Sequence, residues 1–157
     1  MEKFRVAIVI PAFNEELTIT QVVNSVKYHG TAIVVNDASN DSTKQKAEDA
    51  GALVVNHIEN KGYDCALNSG FQKASELSFD AVITFDADGQ HDVATIKKFI
   101  YYLKNKCDVV VGIRPYPARF SEYISKKLLN FYFGIKDPLC GIKGYKMIVY
   151  RKRGYFD

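Results

Sequence analysis

The chain has 157 residues, 47% apolar and 25% charged, with a formal net charge of +3, the profile of one soluble domain that folds without disulfides or a structural metal. That charge is too small to argue for nucleic acid, and the longest apolar stretch, Val6 to Phe13, is far short of the ~20 residues that span a bilayer. Without a basic–apolar–small leader, and with three cysteines (Cys65, Cys107, Cys140) lacking metal-ligand spacing, the expected location is a reducing, cytoplasmic compartment.

Five Val- and Ile-rich runs follow one another: Val6–Ile10, Ala32–Val35, Leu53–Val55, Ala81–Phe85 and Val109–Val111. They begin 21 to 28 residues apart. They are continuous rather than alternating, as in strands covered on both faces, and their spacing leaves room for crossover helices. Ile19, Val22, Val23 and Val26 form the first helical stripe between them. Asp41-Ser42 can cap a second helix, and Gly51 can end it in the left-handed conformation. Leu67, Phe71 and Ala74 make a third stripe, and Val93, Ile96, Ile100 and Leu103 a fourth. The cysteines read as small core residues. The pattern predicts an α/β three-layer sandwich on a mostly parallel, Rossmann-like sheet.

Past Arg114 the texture changes. Pro115 and Pro117 break regular structure, and Phe120, Tyr123, Ile124, Leu128 and Phe131 return to helical spacing. Tyr145 to Asp157 is rich in basic and aromatic residues. It reads either as an aromatic edge of the core or as a surface for anionic lipid or a phosphorylated acceptor.

Ligands of open α/β sheets lie beyond the carboxyl ends of the strands. Those ends carry Asn14, Glu15 and Glu16; then Asn36, Asp37 and Asp41; then Asn56, His57 and Asn60; then Asp86, Asp88 and Gln90; and finally Arg114. The segment Phe85-Asp86-Ala87-Asp88-Gly89-Gln90-His91 places two carboxylates one residue apart. One can reach a ribose or an amide while the other binds a hard divalent cation that keeps positions open for phosphate. Strand-end acids often cap the next helix, but Asp92 can take that task here. His57 reads as a loop residue and His91 as a neighbour of the metal motif.

Pro11-Ala12-Phe13-Asn14-Glu15, Asn36-Asp37-Ala38-Ser39, Asn60-x-Gly62 and Asp86-Ala87-Asp88-Gly89-Gln90-His91 together resemble the ordered motifs of glycosyltransferase family 2. The similarity is greatest to its dolichol-phosphate mannose synthase and polyprenyl-phosphate branch. The resemblance runs from about Val6 to Lys146. It implies a GT-A fold and an inverting, metal-dependent transferase with a nucleotide-diphosphate sugar donor and Mg²⁺ or Mn²⁺. Pro11, Ala12, Phe13, Asn14, Glu15, Asp37, Asn60, Gly62, Asp86 and Ala87 would bind the donor, with Asp37 at the base. Asp88, Gln90 and Asp86 would hold the metal, and Arg114 would meet the phosphates.

Asp137-Pro138-Leu139-Cys140-Gly141-Ile142-Lys143 resembles the acceptor-side motif, with Asp137 as base or orienting group. Gly141 and Lys143 would lie toward a polyprenyl phosphate or a growing surface glycan of the cell envelope. Cys140, Ile142, Lys143 and Asp64 depart from the family pattern. On this reading residues 1–157 form a single glycosyltransferase domain, with 1–114 for the donor and a shortened acceptor part at 115–157. It would work at the inner membrane face by peripheral contact or with a partner subunit. A truncated or split module that binds donor without transferring is the alternative. A haloacid-dehalogenase-type phosphatase would place its acids after the first strand, and a sugar nucleotidyltransferase would have a Gly-rich, Arg-containing loop where Pro11–Glu15 stands.

Overall fold

The first apolar run becomes β1 (Val6–Ala12), seven consecutive buried residues. The computed structural model describes residues 4–89, 92–113 and 141–155. In chain order there follow α1 (Ile19–Val26), β2 (Thr31–Asn36), α2 (Thr43–Asp49), β3 (Leu53–Asn56), α3 (Tyr63–Glu76) and β4 (Ala81–Thr84). Next come α4 (Ala94–Asn105), β5 (Val109–Val111), β6 (Lys143–Lys146) and α5 (Met147–Arg153). The six strands are ordered β3-β2-β1-β4-β6-β5. β1 lies parallel between β2 and β4, with Ile8 opposite Ala32 and Ile83, while β6 runs antiparallel to both β4 and β5. The sheet is therefore mostly parallel, as the spacing of the runs predicts.

Because side chains alternate across a strand, β1 feeds two cores. Val6, Ile8, Ile10 and Ala12 pack with Val22 and Val26 of α1, Ala47 of α2, and Ile96 and Leu103 of α4. Ala7 and Val9 join Ile33, Val35 and Val82 against Phe71 and Ala74 of α3 and Met147 of α5. All four residues of the first helical stripe are buried. Phe99 joins the fourth stripe. The second helix ends as expected, with Gly51 at φ +92°. Asp41 caps its start by accepting from the Thr43 N–H at 2.9 Å.

One expectation is corrected. Cys65 is exposed and Cys107 half-buried rather than in the core. Cys65 sits one position before the buried Ala66 of α3, off its apolar stripe. Beyond the five apolar runs, the segment after Gly141 holds a further strand and helix. No apolar run announces β6, because its residue facing α4 is Gly144. A Cβ there would stand 2.9 Å from Leu103 Cδ1 and 3.0 Å from Phe99 Cδ1. On the opposite face Tyr145 meets Phe71 edge-on with centroids 5.6 Å apart, and Tyr150 of α5 meets the same ring at 5.3 Å. Tyr145 and Tyr150 thus form an aromatic edge of the core, while Arg151, Lys152 and Arg153 are exposed. No described helix is long and apolar enough to cross a membrane.

Candidate active site

The loops leaving β1 and β2 are fastened by side chains that satisfy backbone donors, so they need no regular structure. Asn14, at φ 56°, gives its N–H to Ser39 Oγ and accepts the Asn40 N–H on its own amide oxygen, both at 2.9 Å. The Glu15 N–H reaches Thr43 Oγ1 at 2.8 Å, and the Glu16 N–H reaches Asp41 Oδ2 at 3.1 Å. Lys46 Nζ closes the latch on the Glu16 carbonyl at 3.1 Å. Asn14 thus serves as a brace between the loops.

Asp37 follows β2 and is 4% exposed. Its Oδ1 takes the His57 ring at 2.7 Å and the Lys61 N–H at 2.9 Å, and its Oδ2 takes the Gly62 N–H at 2.8 Å. Burial alone would raise its pKa, but these donors outweigh burial and hold the carboxyl below the usual range. The sign follows from linkage. A depressed folded-state pKa stabilises the protein above the unfolded-state value of about 4, and that stability is lost as pH falls through the folded value. Asp37→Asn is expected to cost about 2–3 kcal/mol at neutral pH and to flatten acid unfolding below about pH 4. Urea titrations at pH 3 to 7 check this; an unchanged acid limb would refute it.

At the end of β4, Thr84 is 2% exposed. Its hydroxyl donates to the Gly141 carbonyl at 2.7 Å and accepts the Lys143 N–H at 3.0 Å. That docks Gly141 beside Asp86, so closely that a Cβ at 141 would overlap the carboxylate. On the other side Tyr63 donates its hydroxyl to Asp86 Oδ1 at 3.0 Å. Burial, then the negative charge of Asp86, pushes the Tyr63 phenol well above its ordinary pKa, so it stays a donor throughout the working pH range.

These strand ends enclose a cavity of about 380 Å³. Pro11, Ala12, Phe13 and Glu15 come from β1 and its loop, Asp37 from β2, Asn60 and Gly62 from the loop after β3, and Asp86, Ala87 and Asp88 from the end of β4. Nine of the ten expected donor residues line it, all but Asn14. Sequence reasoning missed Tyr63 and Ala66, which complete the wall from α3. Tyr63 also borders a second cavity of about 170 Å³, where Gly141 and Lys143 meet Asp64, Leu67, Phe71, Thr84 and Tyr145. Sequence reasoning likewise placed too little weight on His57, which is buried beside Asp37. Gln90, His91, Arg114, Asp137 and Cys140 lie outside the described residues.

Among the described residues no group of three or more His, Cys, Asp or Glu could hold a metal ion. Asp86 and Asp88 nevertheless open on the same cavity. Two hard carboxylates suit a magnesium-type ion that takes its remaining ligands from phosphate oxygens and water, so this donor set fits such an ion.

The arrangement has counterparts in known proteins. The chain is 36% identical over 145 residues to the UDP-N-acetylglucosamine–dolichyl-phosphate N-acetylglucosaminyltransferase of Methanococcus voltae, covering 78% of this chain and 58% of the relative. It is 30% identical over 123 residues to the undecaprenyl-phosphate mannosyltransferase of Micrococcus luteus, covering 73% and 50%. The chain thus spans about half to three fifths of the length of these relatives. Its fold matches the crystal structure of glucosyl-3-phosphoglycerate synthase from Mycobacterium tuberculosis in complex with Mn²⁺, UDP-glucose and phosphoglyceric acid. The TM-score is 0.76 at 23% identity, over 92% of this chain and 57% of that one, and the shared architecture is GT-A. The family model for glycosyl transferase family 2 matches residues 7–153, from β1 through the last helix, and the chain belongs to that family.

Proposed function

We propose that this chain binds a nucleotide-diphosphate sugar in the larger cavity and transfers its glycosyl group, with inversion, to an acceptor entering from the Gly141–Lys143 side. The observation that carries this reading is the convergence of nine donor-motif residues and Asp88, from four strand ends, on one cavity. Asp37 would meet the base, and Pro11 to Phe13 would wall the nucleoside. Asp86, held by Tyr63, would face ribose and diphosphate. Asp88, with Asp86 and Gln90, would hold Mg²⁺ or Mn²⁺, which when bound offsets charge on the departing diphosphate. Arg114 would add a bidentate phosphate contact.

The polyprenyl-phosphate relatives favour a lipid-phosphate acceptor. Such a nucleophile is already anionic, so Asp137 would orient rather than deprotonate it, and Lys143 would draw in its charge. Work on a lipid acceptor would place the chain at the cytoplasmic membrane face, by peripheral contact or with a partner.

Thermal melts with Mn²⁺ and UDP, GDP, CDP or ADP test the donor half. At a hundredfold excess over Kd, binding adds about 2.7 kcal/mol, or roughly 5–10 °C for a chain of this size. Release of nucleoside diphosphate from the matching sugar donor tests transfer. No shift with any nucleotide, with or without metal, overturns the proposal.

A further inference from the structure

His57 is the one buried side chain of the loop after β3. Ile58 is 98% exposed, and Glu59, Asn60, Lys61 and Gly62 are exposed as well. This loop brings Asn60 and Gly62 to the cavity, yet its own side chains supply little packing to hold it there. It is fastened instead at His57 and Asp37. The His57 N–H bonds the Asn36 carbonyl at 2.9 Å, and its ring spans from Asp37 Oδ1 at 2.7 Å to Ser69 Oγ of α3 at 2.8 Å.

The direction of this relay follows from its chemistry. An ionised carboxylate only accepts, so His57 Nδ1 carries the proton. In the neutral ring Nε2 then accepts, and Ser69 must donate. Hydrogen bonding thus assigns one tautomer. A carboxylate has about four acceptor positions. Among the described residues three are taken on Asp37, two on Oδ1 and one on Oδ2, which leaves Oδ2 one position for a ligand in the cavity that Asp37 lines.

We propose that His57 and Ser69 are positioning residues for nucleotide selection: their relay locks the Asp37 carboxylate so that its remaining acceptor position meets a ring N–H of the base. Uracil and guanine present such a donor, whereas cytosine and adenine present a bare ring nitrogen that faces the carboxylate lone pair to lone pair. The inference rests on the donor reading above, with Asp37 at the base. A buried acceptor of fixed direction rejects a ligand lacking the donor far more strongly than a mobile one, because it cannot turn to another partner.

The test is the ratio of CDP to UDP, and of ADP to GDP, dissociation constants by calorimetry with Mn²⁺. Wild type, His57→Ala, His57→Asn and Ser69→Ala are compared. Wild-type protein is expected to prefer one N–H base by about tenfold or more, the effect of one well-placed hydrogen bond. His57→Ala should bring that ratio close to one. His57→Asn places an amide N–H where Nδ1–H stood and should restore most of it, and Ser69→Ala should give an intermediate value. If His57→Ala does not fold, the Asn and Ser69→Ala variants decide the matter.

A role in folding alone would weaken all four nucleotides together and leave the ratios unchanged, which would overturn the proposal. So would a wild-type protein that binds all four alike. Failure of the wild type to bind any nucleotide is the separate failure of the donor reading, and the proposal falls with it.

Discussion

Asp88→Ala is expected to lower Mn²⁺-supported nucleoside diphosphate affinity at least about 100-fold, close to 2.7 kcal/mol, down to the level of wild type in EDTA. Asp86 cannot move to compensate, since Tyr63 bonds one of its oxygens and Gly141 crowds it on the other side. Asp88 itself is exposed, so its loss should cost ligand-free stability far less than affinity, about 1 kcal/mol or less. Calorimetric titrations with and without Mn²⁺ measure the first effect, and urea unfolding the second. Retained metal-dependent affinity in the variant would remove Asp88 from the site.

Gly70→Ala should behave in the opposite way, damaging the fold first. In a helix, alanine is ordinarily favoured over glycine by about 1 kcal/mol. Here the added Cβ would overlap Val9 Cγ1, with Val9 Cγ2 at 3.1 Å and Val35 Cγ2 at 3.3 Å. Both valines are fully buried strand residues, so α3 must back away from β1 and β2. A net loss of roughly 1–3 kcal/mol is expected, read from the urea midpoint at unchanged m-value. Since α3 carries Tyr63, Ala66 and Ser69, nucleotide affinity should fall as well. A variant more stable than wild type would show that the helix does not seat on the sheet at Gly70.

The parts of the fold that were legible share a cause. Strands β1, β2 and β4 are short apolar runs because both faces of the sheet are covered there. β3 and β5 keep the apolar run at the partly exposed ends of the sheet, and α1 shows its buried face as a clean stripe. The cavity-lining residues were legible because ligand clefts of parallel sheets lie beyond the carboxyl ends of the strands, where the polar groups of this sequence gather. Legibility failed where a residue's partner is remote or small. β6 faces α4 through a glycine, so hydrophobicity cannot report it. His57 finds partners 20 and 12 residues away, and Tyr63 finds Asp86 at a separation of 23. No local pattern encodes such pairings. Asn14 shows the converse, a motif residue whose amide braces a neighbouring loop outside the cavity lining.

The placement of β6 also governs when the molecule becomes competent. β1 to β4 can associate early during synthesis, but β4 keeps one bare flank until a segment made much later arrives. The Thr84 hydroxyl waits for a carbonyl 57 residues downstream. Until then Ile83 and its neighbours offer an open ladder to any passing strand, a risk of mispairing between nascent chains. The same event that seals this flank sets Gly141 beside Asp86, so closure of the sheet and completion of the second cavity are one step.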